Sequence, residues 1–240
     1  MSSQRRLSVG TSGFSYKPWK GSFYPADMKD GDMLAFYSTQ FDTVELNNTF
    51  YRLPNENTLR QWAEQVPPGF RFALKASRTI THIKRLKEIA DPVGYLFRVT
   101  AVLGDALGPV LFGLPPNMKQ DLDRLNAFVE LIPEGVRAAV EFRHPSWHDD
   151  AVFDVLRSRN LALCIAQTDE DETPLVATAD WGYIRLRREA YSTADLAAWL
   201  QNINAQPWTD TFVYLKHEDA GVGPRLAREL LELAGPAASP

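Results

Sequence analysis

Cysteine is nearly absent from this chain of 240 residues: Cys164 stands alone. A single thiol excludes an intramolecular disulfide framework and a cysteine-rich metal centre. It lies in the apolar run LALCIA (161–166), where a small buried hydrophobe is expected rather than a reactive thiolate. No apolar run approaches the roughly 18 residues that a membrane span needs. The opening MSSQRRLSVG carries charge with no apolar signal region after it. The expected location is therefore the cytosol, with no membrane partner. Excess charge of one sign is also missing. A net charge of −4 does not draw the whole molecule to nucleic acid or anionic lipid, although a local basic patch could still do so. No strand-like run leads into G-x-G-x-x-G or G-x-x-x-x-G-K-[ST], which counts against a nucleotide-binding open sheet. H-E-x-x-H is absent as well. His144 and His148 stand four apart, but Pro145 between them breaks any helix that would put both on one metal.

What is present is a regular alternation. Short apolar or β-branched runs occupy Leu7–Thr11, Thr43–Leu46, Arg71–Lys75, Pro109–Gly113, Ala138–Phe142, Leu161–Ala166, Gly182–Leu186 and Thr211–Leu215. Several are apolar on both faces, as parallel strands covered by helices should be. Helical patterns lie between them at Asp32–Gln40, Thr58–Gln65, Pro92–Ala106, Lys119–Leu131, Asp150–Arg159, Thr193–Asn202 and Pro224–Leu233. Ser192 or Thr193 offers an N-cap, and Gly135 offers a chain reversal before the fifth strand. Eight strands alternating with helices suit a closed barrel or an open doubly wound sheet. The length fits one domain, residues 1–240, with a core at about 7–233 and a fraying tail from 234. Such a chain buries roughly 70–75% of its unfolded surface and needs no covalent staples.

Barrel chemistry gathers at the C-terminal ends of strands, where the loops converge on one mouth. Polar residues pile up at those ends here: Thr11-Ser12-Gly13, Glu45-Leu46-Asn47-Asn48, Lys75-Ala76-Ser77-Arg78, Glu141-Phe142-Arg143-His144, Gln167-Thr168-Asp169, Arg185 with Arg187, and Lys216-His217-Glu218-Asp219. Arg185 lies between Ile184 and Leu186, inside an apolar run. A buried arginine needs a carboxylate or an anionic ligand, and Glu45, Glu141 and Asp169 are the candidate partners. After the first strand, Phe14, Tyr16, Trp19, Phe23 and Tyr24 crowd one long loop that reads as a lid, a binding loop or a plug. A basic stretch follows the third strand: Arg78, His82, Lys84, Arg85 and Lys87 beyond Lys75. It reads as a solvated face or as a source of positive potential at the mouth. His217 with Glu141 and Asp169 has the composition of a hard mixed metal site, although strand-end carboxylates have many other uses.

The segments VGTSGFSYKPWKGSFYP, FDTVELNNTFYRLP, FRFALKASRTITH, GPVLFGLPP, VEFRHPSW and YLKHED occur in that order. Together they make the chain resemble the YecE-like family, the seventy-second catalogued domain of unknown function, from about Leu7 to Leu233. The resemblance implies closure of the eight strands into a TIM-type (β/α) barrel. It implies no established activity and no established cofactor. The shared polar positions carried over by motif are Tyr16, Trp19, Glu45, Asn47, Tyr51, Lys75, Glu141, Arg143, Trp147 and Arg185. Lys216-His217 replaces an Asn pair common in relatives, and Arg187 replaces a frequent histidine.

Three functions compete on these residues. The first is an enzyme acting on an anionic small molecule or phosphoester. Lys75, Arg143 and Arg185 would hold the anion, and Glu45 and Glu141 would serve as acid or base, with Asp169 and His217 as further catalytic candidates. The second is a glycoside-type hydrolase using Glu45 and Glu141. The third is a non-catalytic module binding a ligand, a protein or nucleic acid through the basic stretch.

Overall fold

The computed structural model describes residues 5–216 and 220–235. Eight strands form one parallel sheet: β1 (Arg6–Thr11), β2 (Thr43–Leu46), β3 (Arg71–Lys75), β4 (Leu107–Gly113), β5 (Ala138–Glu141), β6 (Ala162–Gln167), β7 (Trp181–Leu186) and β8 (Asp210–Leu215). Their order is β1-β8-β7-β6-β5-β4-β3-β2, with every neighbouring pair parallel. The two ends meet. Ser12 bridges Glu45, and the Gly13 N–H donates to the Glu45 carbonyl at 2.7 Å. The result is a nearly closed (β/α) barrel.

The β1–β2 seam closes through a side chain. The Tyr37 hydroxyl accepts from the Thr11 N–H at 2.9 Å and donates to the Thr43 carbonyl at 3.1 Å. It thereby satisfies two backbone groups that no neighbouring strand reaches. Gly10 permits the close approach, because a Cβ there would stand 2.1 Å from the Thr43 carbonyl oxygen.

Helices cover the outside: α1 (Met33–Tyr37), α2 (Glu56–Glu64), α3 (Ala90–Thr100), α4 (Leu122–Val129), α5 (Asp150–Ser158), α6 (Thr193–Asn204) and α7 (Val222–Ala234). Each of the longer ones buries an apolar stripe, for instance Leu125, Phe128 and Val129 on α4 or Leu226, Ala227 and Leu230 on α7. Polar caps fix several starts. Asn55, Asp121 and Asp149 each accept a backbone N–H, and Ser192 forms a capping box with Asp195.

The helix expected from Lys119 begins only at Leu122, because Asp121 caps it. The pattern over Pro92–Ala106 splits into α3 and a 3-10 turn over Ala101–Ala106, broken where Gly104 takes φ 53°. The first helix is short, five residues, with Asp32 in a preceding 3-10 turn. The tail from 236 onward and the opening four residues lie outside the described residues. Among the described residues, no helix is long and apolar enough to cross a membrane.

The barrel interior forms its own cluster, distinct from the layer between strands and helices. Ala73, Leu111, Ala139, Cys164, Tyr183 and Tyr214 are all buried there. Side chains alternate with period two along a strand. Two residues beyond Ala73, Leu111, Ala139 and Tyr183 therefore come Lys75, Gly113, Glu141 and Arg185, on the same inward face. Strand polarity places this polar layer at the C-terminal mouth.

Candidate functional site

Arg185 is the centre of the mouth. It is 1% exposed, and its one guanidinium joins β7 to carboxylates on β2 and β5. Its Nη1 donates to both Glu141 carboxylate oxygens, at 3.1 and 3.0 Å. Its Nη2 donates to Glu45 Oε1 at 2.8 Å and approaches Asn47 Oδ1 at 3.4 Å. Glu45, itself wholly buried, accepts three further hydrogen bonds: from Ser12 Oγ at 2.9 Å, Asn47 Nδ2 at 3.0 Å and the Tyr183 hydroxyl at 2.9 Å. Glu141 also pairs with Arg143 at 3.3 Å and Arg187 at 3.6 Å.

This arrangement sets the charge states. Burial would raise the carboxyl of Glu141, but the positive charges of Arg185, Arg143, Lys75 and Arg187 override it and hold the group at about 2. Burial opposes ionisation of Glu45 as well, and Arg185 with the Ser12 and Tyr183 hydroxyls still lowers it. Both residues are therefore carboxylates at neutral pH. Burial disfavours the charged Arg185 too, and the two glutamates outweigh it, driving the guanidinium well above its ordinary value.

Lys75 behaves differently. Burial, followed by repulsion from Arg185, lowers it to about 8, with Glu141 and Glu45 only partly opposing. Its Nζ stands 4.8 Å from the Phe50 ring centroid. His82 turns its ring edge to Phe50 at 4.9 Å. Burial and the surrounding Arg143, Lys75, Arg78 and Arg85 lower its pKa. The basic stretch thus splits: Lys75 and His82 border the mouth, whereas Arg85 reaches Asn117 on the next loop. The turn carrying them is tight, a π-helical turn over Thr79–Ile83 followed by positive φ at Arg85, Leu86 and Glu88. Three non-glycine residues in that region mark a segment held by its surroundings.

The structure gathers Glu45, Asn47, Glu141, Arg143 and Arg185 into one network of ion pairs and hydrogen bonds, with Lys75 beside it on the Phe50 ring. Other sequence candidates fall elsewhere. Trp19 is fully buried, stacked with Tyr24, tilted against Tyr16 and edge-on to Phe23. Phe23 in turn packs on Phe36 and Phe41 beside α1. The aromatic loop is packed against its own helix, and Tyr16 donates its hydroxyl to the Ser12 carbonyl at 2.7 Å. Trp147 is fully buried too; it stacks on Phe142 and donates to the Met118 carbonyl. Tyr51 is 72% exposed. Asp169 accepts from the Glu189 N–H at 2.9 Å, faces Arg188 on the surface, and is not a partner of Arg185. His217 lies outside the described residues. His144 caps a short 3-10 turn by accepting from the Ser146 N–H. No group of three His, Cys, Asp or Glu side chains suited to a metal gathers among the described residues.

Sequence reasoning named Ser12 and Arg187 among the polar strand ends but gave no site role to them, to Tyr183 or to Gly113. Ser12 and Tyr183 satisfy Glu45, and Arg187 adds a cation. Gly113 makes room: a Cβ there would stand 2.8 Å from Glu141 Oε2. The period-two step back from Arg185 to Tyr183, and forward to Arg187, was the signal available for two of them.

Three cavities lie away from the mouth. The largest of them, about 760 Å³, runs beside α7 and is lined by Arg225, Arg228 and Glu229. One of about 450 Å³ sits at the opposite end of the barrel among Arg6, Arg71, Arg137 and Asp210. A third, of about 360 Å³, lies between Phe41 and Pro68. Size alone therefore does not mark the site; the buried ion network does.

A family described as "Protein of unknown function DUF72" matches residues 8–240. The chain belongs to the DUF72 family. Among curated relatives, the UPF0759 protein YecE of Escherichia coli K12 is 31% identical over 112 residues, which is 46% of this chain and 41% of that protein. The chain thus matches less than half the length of that relative. The UPF0759 protein YunF of Bacillus subtilis 168 is 22% identical over 88% of this chain and 90% of its own. Among solved structures, a DUF72 family protein of Thermotoga maritima MSB8 superposes with a TM-score of 0.81 at 25% identity, over 95% of this chain and 99% of its own. A DUF72 family protein of Enterococcus faecalis V583 gives 0.77 at 15% identity, covering 97% and 98%. The DUF72 barrel is shared by both. None of these names specifies a reaction, so function has to be argued from the mouth itself.

Proposed function

We propose that the barrel mouth binds a small anionic molecule through a carboxylate or phosphate, as an enzyme site would. One observation carries this reading. Four cations, Lys75, Arg143, Arg185 and Arg187, face only two carboxylates, Glu45 and Glu141. The surplus cations lie on the accessible side: the Arg143 and Arg187 side chains are 33% and 23% exposed, against 2% for Arg185. Among the described residues, the Nε groups of Arg185 and Arg187 are buried without a hydrogen-bond partner. Partly buried positive charge without compensation favours an anion, and guanidinium forks match oxyanions.

In this reading Arg143 and Arg187 grip the oxyanion, Lys75 faces the rest of the molecule, and Glu45 and Glu141 position Arg185 and its neighbours. The charge states weigh against a glycosidase pair. A general acid needs a carboxyl that holds its proton near neutrality. Glu141 and Glu45 are both pushed the other way and share one guanidinium.

Inorganic phosphate tests the reading. At about 100 times its Kd it should stabilise the protein by about 2.7 kcal/mol. That corresponds to roughly 5–11 °C in a thermal-shift assay for a chain of this size. Arg143→Ala or Arg187→Ala should weaken binding roughly 10- to 150-fold, the loss of one charge-assisted contact. Stabilisation no greater than that of chloride at matched ionic strength, or equal in both variants, would refute it.

A further inference from the structure

Lys75 stands beside the glutamates of the mouth and, among the described residues, pairs with neither. Arg185, Arg143 and Arg187 each pair with a glutamate. Lys75 has no ion pair or hydrogen bond among the described residues; its Nζ rests on the Phe50 ring at 4.8 Å. The geometry keeps it so. Glu141 spends its oxygens on three guanidiniums, and Glu45 on Arg185, Ser12, Asn47 and Tyr183. Gly113 leaves space between Lys75 and Glu141: a Cβ there would lie 3.7 Å from Lys75 Cε and 2.8 Å from Glu141 Oε2. A half-buried primary amine among cations, with no carboxylate of its own, at the end of a barrel strand beside the partly exposed Arg143 and Arg187, is placed to react rather than to pair.

We propose that Lys75 forms an imine with a carbonyl compound that carries a carboxylate or phosphate, Arg143 and Arg187 holding the charged end. This rests on the anion-binding reading above and deepens it to a substrate class. The neutral Lys75 amine attacks the carbonyl carbon, forming a C–N bond as the carbonyl π pair moves to oxygen. Proton transfer from nitrogen to that oxygen gives a carbinolamine. Loss of the hydroxyl and the remaining amine proton as one water molecule leaves the C=N bond. No oxidant or reductant is needed. The amine's lowered pKa, caused first by burial and then by Arg185, supplies the reactive form. At pH 7 a group of pKa about 8 is roughly 10% neutral, some 300-fold more than an ordinary lysine at 10.5.

The test is reductive trapping on the full chain, followed by peptide mapping. The probes are pyruvate for the carboxylate source, dihydroxyacetone phosphate for the phosphate source, and acetone as a neutral carbonyl. Each is incubated with the wild-type protein and sodium cyanoborohydride. The expected result is a reduced adduct concentrated on Lys75 with one or both anionic probes, which also tells the two sources apart. Labelling should be at least about tenfold slower with acetone, should be suppressed by inorganic phosphate, and should rise with pH through about 8. Because mapping is done on wild type, a misfolded variant cannot confuse it. Lys75→Arg, which keeps the charge and removes the primary amine, should lose the adduct. Phosphate stabilisation with labelling scattered over surface lysines overturns the imine and leaves the anion site standing. Labelling of Lys75 by acetone as fast as by the anionic probes, or no inhibition by phosphate, overturns the anionic-carbonyl assignment.

Discussion

Replacing Arg185 by Met removes the guanidinium that both buried glutamates share, and the cost can be worked from its contacts. Glu141 keeps Arg143 and Arg187 at the rim, and Glu45 keeps Ser12, Asn47 and Tyr183. Neither carboxylate is stripped of every donor, so the loss should match one broken buried ion pair, about 3–5 kcal/mol at pH 7, rather than the sum of two. For a domain of this length that lowers Tm by roughly 6–20 °C.

The pH dependence is the sharper readout. In the wild type Glu141 sits at about 2, below its unfolded value of 4.5. It therefore contributes stability above the unfolded value, and that contribution, about 3 kcal/mol, is lost as pH falls from about 5 toward 2. Without Arg185, burial dominates and the folded-state carboxyls move up. A raised carboxyl leaves stability intact below the unfolded value and erodes it as pH climbs through the folded value. Arg185→Met should thus be closer to wild type at about pH 4.5 than at pH 7, whereas the wild type is weaker at the acid end. Urea denaturation at the two pH values measures this. Adding Glu45→Gln and Glu141→Gln should recover part of the loss at pH 7. A loss below about 1 kcal/mol, or one independent of pH, would show that the network does not hold the charges as argued.

Two further substitutions probe the frame around the site. Tyr37→Phe leaves the Thr11 N–H and the Thr43 carbonyl without their bridge, at a cost of about 1–3 kcal/mol; faster hydrogen exchange at Thr11 would report an opened seam. Gly113→Ala places a methyl against Glu141 Oε2 and should destabilise by about 1–3 kcal/mol, read by chemical denaturation, with weaker phosphate binding because the carboxylate must shift.

Most of the frame was legible in the residues. β2 and β3 match their expected ranges, and the other strands differ by only a residue or two at their ends, because apolar runs bounded by turn signals mark strands directly. The cap at Ser192 and the positive φ of Gly135 are local properties and were readable as such. Helix starts were less so: Asp121 rather than Lys119 begins α4, since capping depends on one side chain reaching one amide. Arg185 announced itself as a charge inside an apolar run. Its partners did not, because Glu45, Glu141 and Asp169 looked equivalent along the chain. The barrel puts the first two against the guanidinium and leaves Asp169 with Arg188 outside. Trp19 and Trp147 were carried over by the resemblance as shared polar positions, and the fold buries both.

Alternation, composition and loop chemistry by themselves determined an eight-stranded α/β domain with its ionisable residues at strand ends. These are short-range consequences of backbone geometry and solvation. Only tertiary structure decided which charges neutralise one another, which cation is left over, and how Tyr37 completes the seam. Those outcomes depend on distances of a few ångströms between side chains on different elements, up to 140 positions apart in the chain, and no local pattern encodes them.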